Sequence, residues 1–273
     1  LVDNIITIPN EDFNRANIFT DPLVGIKKKI FIENNNKMLD YNDSVSIKIN
    51  TLNFNVEVIK DNINDKITYL HSKLKIKYGT FGEELPEQKM AVRYLKGHEK
   101  VLEIGGNIGR NSLIIASILN NSENLVSLEC DNNIARQLLE NRDLNNFNFH
   151  VENSALSKQK LIQKGWDTLP SETLLDGYNW VNTITLKELN EKYNIKFDTL
   201  VLDCEGAFYY ILMDMPEILD NINLIIMEND YWDICKKEFV DNTLKNNNFK
   251  RDYAESGGWG PCYHNFFEVW TKI

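Results

Sequence analysis

The spacing of apolar residues changes from strand-like to helical within residues 100–119. The prediction for the rest of the chain starts from this stretch. Residues 101–104 form a short apolar run that is typical of a buried strand. Glycines follow between 105 and 109, and beyond them apolar residues recur at helical spacing up to residue 119. The pattern predicts a strand, a tight turn and a helix, the opening unit of a nucleotide-binding α/β sheet.

Short apolar runs and amphipathic segments alternate from residue 101 to the end of the chain. The predicted strands cover 125–129, 147–151, 197–203 and 223–228, and the predicted helices cover 133–144, 208–213 and 230–244. Residues 251–255 and 266–270 predict a final antiparallel hairpin. The predicted fold class is therefore α/β: a Rossmann-like, doubly wound, mostly parallel sheet with an antiparallel closing hairpin.

The first 75 residues follow a different pattern. Apolar and polar residues alternate in 45–49 and in 54–58, which predicts a β-hairpin, and 63–74 predicts a short helix. We expect two parts, a small β-containing N-terminal extension over 1–75 and the nucleotide-binding type of domain over 76–273. The extension could cover a sheet edge, contact the substrate or form an oligomer. Within the second part, the polar stretch 157–182 predicts an insertion or loop.

The composition of the chain argues against several classes of function. The net charge of −10 disfavours a general nucleic-acid or anionic-membrane surface. The four cysteines form no C-x-x-C pair, so they predict neither a zinc site nor a disulfide framework. With no run of about 18 apolar residues and no signal-peptide pattern, we expect a cytoplasmic protein with no membrane partner. The abundance of Asn, Lys and Ile favours a viral or AT-rich genome, and the start at Leu1 leaves open a domain of a longer protein.

The glycine turn differs from a dinucleotide-binding turn. An acidic residue, Glu103, precedes Gly105, Gly106, Asn107 and Gly109, where the dinucleotide fingerprint would read G-x-G-x-x-G. A carboxylate would repel a pyrophosphate at close range but would attract an amine or a sulfonium. The glycines allow backbone to approach a ligand closely, and the helix start adds free N–H groups. The turn therefore favours a positively charged nucleoside-type cofactor.

In this acidic G-x-x-x-G turn the sequence resembles the class I S-adenosylmethionine-dependent methyltransferases, and its G-G-N-x-G form is most similar to the FkbM-type members. A carboxylate at Glu129, about twenty residues after the turn, suits both ribose hydroxyls. The resemblance implies the same role for Glu129, although Cys130 stands where the family usually has proline. It also implies that Asn153, Ser154 and Ala155 meet the adenine edge, whereas a plain turn would use the same residue types.

Two further segments match this family. In the family, an aromatic residue and a glutamate before the first strand of the domain help to close the cofactor pocket. The resemblance implies this role for Phe81 with Glu84 or Glu87. A helix start favours glutamate in any case. Asp203 and Glu205 resemble the family's D-x-E-G motif after the fourth strand, which implies contact with the methyl donor.

Asp203 is our candidate to orient an acceptor hydroxyl and take its proton, with Glu205 in support. A carboxylate pair at a helix start is the structural alternative. At the family's third carboxylate position this chain has Phe208, so we predict no role for that group.

Carboxylates also end the fifth strand. Glu228 corresponds to an acidic residue of the family and is a further catalytic candidate. Asp203, Glu228, Asn229 and Asp230 together could hold Mg²⁺, which prefers oxygen ligands, but we favour Asp230 as a helix cap and a reaction without metal. His264, in the closing hairpin, is a catalytic candidate whose alternative is a structural role.

The resemblance implies an enzyme that uses S-adenosylmethionine, most often on a hydroxyl. We therefore expect O-methylation of a sugar, a glycan or a small oxygenated metabolite. The alternatives are a non-catalytic Rossmann-like binding module of a larger protein and an N-methyltransferase. Against the latter, no N-P-P-Y or D-P-P-Y segment follows the fourth strand. No pattern in the sequence predicts the oligomeric state.

Overall fold

A computed structural model of the chain describes residues 4–9, 15, 19–20, 29–34, 37–41, 45–59 and 63–273. The chain divides into two compact units, Leu1–Asp65 and Lys66–Ile273. The strands of the first unit are β1 (Ile5–Ile8), β2 (Ile30–Asn34), β3 (Lys37–Tyr41), β4 (Ser46–Asn50) and β5 (Val56–Ile59). An antiparallel sheet has the order β1-β4-β5, and β2 pairs with β3. A β-containing N-terminal region is therefore confirmed.

Side chains cap the starts of several of the described helices. Their bounds are α1 (Ile63–Lys73), α2 (Leu85–Tyr94), α3 (Arg110–Ile118), α4 (Asn132–Leu144), α5 (Leu186–Tyr193), α6 (Ala207–Asp214) and α7 (Ile234–Asn246). Thr185 and Glu188 form a capping box at α5. The prediction that Asp230 caps α7 is wrong, because the helix begins later and Asp233 accepts from the Cys235 N–H. None of these described helices is both long and apolar enough to cross a bilayer.

A seven-stranded sheet forms the centre of the second unit. The strands of this unit are β6 (Val101–Ile104), β7 (Leu125–Leu128), β8 (His150–Glu152), β9 (Ala155–Leu156), β10 (Leu161–Lys164), β11 (Asp167–Pro170), β12 (Asn179–Val181), β13 (Thr183–Ile184), β14 (Thr199–Leu202), β15 (Leu224–Glu228), β16 (Phe249–Glu255) and β17 (Phe267–Lys272). The order in the central sheet is β16-β17-β15-β14-β6-β7-β8.

Five of these strands, from β15 to β8, run parallel, and β17 is antiparallel to both of its neighbours. This arrangement confirms a Rossmann-like, mostly parallel sheet with an antiparallel closing hairpin. Every residue of β6, β7 and β14 is buried. A strand that is buried on both faces is mostly apolar along its length, so β6 could be recognised from the sequence.

The polar stretch at 157–182 is more ordered than a loop. Strands β10, β11 and β12 form a small antiparallel sheet in the order β11-β10-β12. Gly165, with φ at +60°, lies in the tight turn between β10 and β11, and Ile162 is fully buried. The predicted third strand of the central sheet is also shorter, because Asn146 and Phe147 still bond back to the end of α4. Few apolar residues mark these strands, so their periodicity in the sequence is weak.

Candidate functional site

A cavity of about 400 Å³ lies at the carboxyl ends of β6, β7 and β14, within the second unit. Such crevices are the usual ligand sites of open α/β sheets. Its lining comes from the glycine turn, from the residues that follow β7 and β8, from the start of α6 and from the β10–β11 hairpin. The lining includes Gly105, Asn107, Glu129, Cys130, Ser154, Ala155, Asp203, Glu205, Tyr210, Ile211, Met215 and residues 166–170.

The glycines of the turn are required by close contacts. A Cβ on Gly105 would lie 1.6 Å from the carbonyl oxygen of Asp203, and φ at this residue is +90°. A Cβ on Gly106 would lie 2.1 Å from Ser127 Oγ, and one on Gly109 would lie 2.4 Å from a methyl carbon of Leu138. The glycines thus let the turn pack closely against neighbouring elements, and Gly105 lies in the wall of the cavity.

Glu129 is held in the cavity wall by backbone groups. Its Oε2 accepts from the Asn107 N–H at 3.0 Å, and its Oε1 accepts from the Asp131 N–H at 2.8 Å. Burial raises the pKa of Glu129, although these backbone hydrogen bonds oppose the shift. Each carboxylate oxygen has a second lone pair, so the group can still accept two hydroxyls from a ligand.

The other predicted cofactor residues near Glu129 divide into two sets. Cys130, Ser154 and Ala155 line the cavity. Burial, followed by the charge of Glu129, raises the pKa of Cys130 to about 12, so this residue is a neutral thiol in the wall. Asn153 is not among the described lining residues; its Nδ2 donates to the carbonyl oxygen of Glu129 at 2.8 Å. Asn153 therefore supports the strand end.

Glu103 is directed into the protein. Its side chain is 2% exposed, and its Oε2 accepts hydrogen bonds from Ser112 Oγ and Ser127 Oγ. Burial raises the pKa of Glu103 to about 7, and the two serine bonds oppose that shift. Among the described residues that line the cavity Glu103 is absent, whereas its neighbour Ile104 is present. The side chain of Glu103 therefore links β6 to α3 and to β7 through these two hydrogen bonds.

The segment before α2 is tied to the glycine turn by charge. Arg110 pairs with Glu83 and with Glu84, whose Oε1 lies 2.6 Å from Nη1, and Asn107 Nδ2 donates to Glu84 Oε1 at 3.2 Å. Burial raises the pKa of Glu84 to about 7 against the lowering effect of Arg110. Phe81 is buried and stacks on the ring of His71, with centroids 4.8 Å apart. Neither Phe81 nor Glu84 is among the described lining residues.

Five carboxyl groups meet beside the cavity, and we call them the acidic cluster: Glu87, Asp203, Glu205, Glu228 and Asp230. The carboxyl group of Glu228 interacts with that of Glu87, and the carboxyl group of Asp230 interacts with those of Glu228 and Glu205. Glu87, Asp203 and Glu228 each offer an oxygen within 4.8 Å of the others. Glu87 comes from the first turn of α2, far from the strand ends in sequence, and no local pattern indicated that it would join them.

Repulsion and burial act together on this cluster. Burial, followed by the charges of Glu84 and Glu87, raises the pKa of Asp203 well above its ordinary value. Burial and the neighbouring carboxyl group of Glu87 likewise raise the pKa of Glu228. Burial, followed by the charge of Asp230, raises the pKa of Glu205 to about 7. These groups hold protons at a pH where isolated carboxyls have lost them.

Two predicted residues lie outside this arrangement. Asn229 is fully buried and donates from Nδ2 to the carbonyl oxygen of Asn265 at 2.8 Å. Asn229 and Asp230 are not part of the described three-residue group that could hold a metal. His264 is exposed, packs edge-on against Tyr263 and is absent from the described cavity lining.

The hairpin of β10 and β11 forms part of the site, although no motif in the sequence assigned it a role. Residues 166–170 line the cavity, together with Tyr210, Ile211 and Met215 from α6 and its end. The only signal in the sequence was Trp166, an aromatic residue in an otherwise polar segment. Aromatic and apolar side chains of this kind are common in pockets for ring-containing ligands.

Comparisons with known proteins give only distant similarities. No protein-family model matches the sequence, and no curated protein matches it significantly. Similar solved structures include an L11 methylase from Lactobacillus delbrueckii subsp. bulgaricus, with 11% identity and a TM-score of 0.44 over 72% of this chain and 82% of the other.

Two more solved structures are methyltransferases. One is an O-methyltransferase from Bacillus cereus in complex with SAH, with 15% identity and a TM-score of 0.43 over 78% of this chain and 92% of the other. Another is a magnesium protoporphyrin IX methyltransferase from Synechocystis PCC 6803, with 10% identity and a TM-score of 0.43 over the same shares, 78% and 92%. The chain's own strand order defines the fold, and these similarities add nothing about its activity.

Proposed function

We propose that this protein is an S-adenosylmethionine-dependent methyltransferase of the FkbM type, which methylates a hydroxyl of a sugar, a glycan or a small oxygenated metabolite. The observation that carries the proposal is the position of Glu129. Its carboxylate lines the cavity beside the glycine turn and retains a free lone pair on each oxygen. That donor set suits the two hydroxyls of a ribose.

The cavity suits the rest of this cofactor as well. Gly105 lets the turn pack directly against the backbone of Asp203, and both residues line the cavity. The uncharged wall at Cys130, Ser154 and Ala155 suits an adenine ring, as in the resemblance described above. When bound, S-adenosylmethionine supplies a methyl group that is activated by its sulfonium charge. The carboxylates near Asp203 favour such a cation over a phosphorylated ligand.

Asp203 has a suitable position and basicity to accept a proton from the acceptor hydroxyl. It lines the cavity, and burial with neighbouring negative charge raises its pKa, so its ionised form takes up a proton readily. Glu205, also in the lining, has a pKa of about 7 and can receive that proton or orient the hydroxyl. Glu228 acts on Asp203 through the acidic cluster.

Transfer of a labelled methyl group tests this function. The full chain is incubated with S-adenosylmethionine carrying a labelled methyl group and with glycans, free sugars, RNA and protein from the source. We expect the label in the glycan or sugar fraction, at an alkali-stable ether. Label in the RNA or protein fraction alone would contradict the proposed acceptor, and no label in any fraction would favour the non-catalytic binding module.

The Asp203→Asn variant tests the role of this residue, because it keeps the side-chain shape and removes the base. We expect it to bind S-adenosylhomocysteine as the native chain does and to lose methyl transfer. Unchanged transfer would contradict the role of Asp203 as the base. Asp214→Asn, at another carboxylate in the cavity lining, is the matched control.

A further inference from the structure

We propose that Glu87, Asp203 and Glu228 form a binding site for a hard divalent cation of the Mg²⁺, Mn²⁺ and Ca²⁺ class. The three side chains come from different elements, namely the start of α2, the residue after β14 and the end of β15. Each provides one carboxylate oxygen, and these oxygens lie within 4.8 Å of one another. Only oxygen ligands are offered, which is the preference of this class of ion.

The spacing of the oxygens matches the size of such ions. Ca²⁺ binds oxygen at about 2.3–2.6 Å, so two ligands on opposite sides of the ion are about 5 Å apart. Mg²⁺ binds at about 2.0–2.1 Å, and its opposite ligands are about 4 Å apart. The three oxygens therefore already lie within the span of one coordination sphere, and a small inward rotation of the side chains would suit the smaller ion.

An unpartnered oxygen points independently to a missing ligand. Glu87 is 5% exposed, and its Oε2 has no hydrogen-bond partner among the residues that the structure describes. A buried carboxylate oxygen without a partner is costly, and a bound cation would remove that cost. A second such atom, Oδ1 of Asn229, belongs to the residue that follows Glu228, and Asn229 is fully buried.

The negative charge of the acidic cluster also favours a bound cation. The strongest charge effects on Asp203 come from four other carboxylates, those of Glu84, Glu87, Glu205 and Asp230. A divalent ion held between these carboxylates would offset their mutual repulsion.

The ion would influence acceptor choice, and this consequence rests on the proposed methyl transfer. Asp203 offers one oxygen to the metal group and also lines the cavity, so an ion held there borders the cavity and leaves the second oxygen of Asp203 for the acceptor hydroxyl. A divalent cation lowers the pKa of a hydroxyl that it binds and favours ligands with two adjacent oxygens. The acceptor class is thereby narrowed to compounds with neighbouring hydroxyls, such as a sugar diol.

Manganese titration tests the site without any turnover. The full chain is treated with a chelator and then titrated with Mn²⁺ in the absence of cofactor, while electron paramagnetic resonance measures the free ion. We expect one bound Mn²⁺ per chain at neutral pH and displacement by Mg²⁺ or Ca²⁺. Glu87→Gln and Glu228→Gln should each weaken Mn²⁺ binding at least about tenfold. Glu191→Gln, whose side chain is 67% exposed on α5, should leave it unchanged.

The outcomes separate this inference from the proposed function. Failure of the native chain to bind Mn²⁺ at millimolar concentration, with S-adenosylhomocysteine still bound, would overturn the metal site and leave the cofactor assignment intact. Native affinity in both cluster variants would overturn it as well. The native chain could instead bind one Mn²⁺ that both variants lose, but not bind S-adenosylhomocysteine. That result would support the metal site and contradict the proposed function.

Discussion

Replacing Glu103 by glutamine removes a buried charge while it keeps the shape of the side chain. In the native protein Glu103 is 2% exposed, and its Oε2 accepts from both Ser112 and Ser127. A glutamine amide oxygen can accept the same two hydroxyls. The substitution therefore isolates the effect of ionisation from the loss of packing.

The free-energy change follows from the pKa of this residue. Burial raises the pKa of Glu103 from 4.5 to about 7 in the folded protein. At about 1.4 kcal/mol for each unit, ionisation costs the folded state about 3 kcal/mol relative to the unfolded chain. The folded state binds the proton more tightly, so this stability is fully present below pH 4.5 and is lost as the pH rises through about 7.

Urea unfolding at a series of pH values from about 5 to about 8.5 measures this effect. The free energy of unfolding of Glu103→Gln, relative to the native chain, should increase with pH by about 3 kcal/mol, most of it before pH 8. Glu191→Gln on the exposed surface of α5 should show no such trend. A difference between Glu103→Gln and the native chain that does not change with pH would refute the reasoning.

The same variant tests which way Glu103 is directed. Because its described partners are Ser112 and Ser127, S-adenosylhomocysteine should bind to Glu103→Gln as it binds to the native chain. A large loss of affinity in a folded variant would mean that this carboxylate contacts the cofactor, as the sequence alone predicted.

Three further substitutions have defined outcomes. Glu129→Ala removes two charge-assisted hydrogen bonds to a ribose, so the dissociation constant of S-adenosylhomocysteine should rise at least about 100-fold in calorimetry; native affinity would contradict the ribose role. Gly105→Ala places a Cβ 1.6 Å from the backbone oxygen of Asp203 at φ +90°, and should lower the free energy of unfolding by at least about 2 kcal/mol. Gly82→Ala, with its nearest neighbour at 3.7 Å, is the control and should be nearly neutral; equal losses would count against the contact. Trp166→Ala should weaken S-adenosylhomocysteine about tenfold with little loss of stability, and unchanged affinity would exclude the hairpin from the cofactor site.

The parts of the fold that the sequence predicts correctly are those with local physical causes. Three of the four residues of the buried strand β6 are apolar, and the turn after it needs glycine because backbone approaches backbone at Gly105. Thr185 and Glu188 bond to each other across one helical turn, so their spacing alone identifies the start of α5. These signals depend on neighbours within a few residues of one another.

The rest of the site depends on contacts between distant residues. Glu87 joins Asp203 and Glu228 because α2 packs near the strand ends, and no spacing in the sequence encodes that approach. On a strand buried on both faces, the pattern also cannot tell that Glu103 is directed to Ser112 and Ser127. The sequence identified the carboxylates as chemically important, but their partners required the structure.

The nature of the cofactor can be measured directly. Calorimetric titration of the native chain with S-adenosylhomocysteine, and separately with NAD, tests whether the cavity suits a nucleoside bearing a sulfur chain or a pyrophosphate. We expect saturable binding of one S-adenosylhomocysteine per chain and no binding of NAD. Binding of NAD, or no binding of S-adenosylhomocysteine to the folded chain, would contradict it.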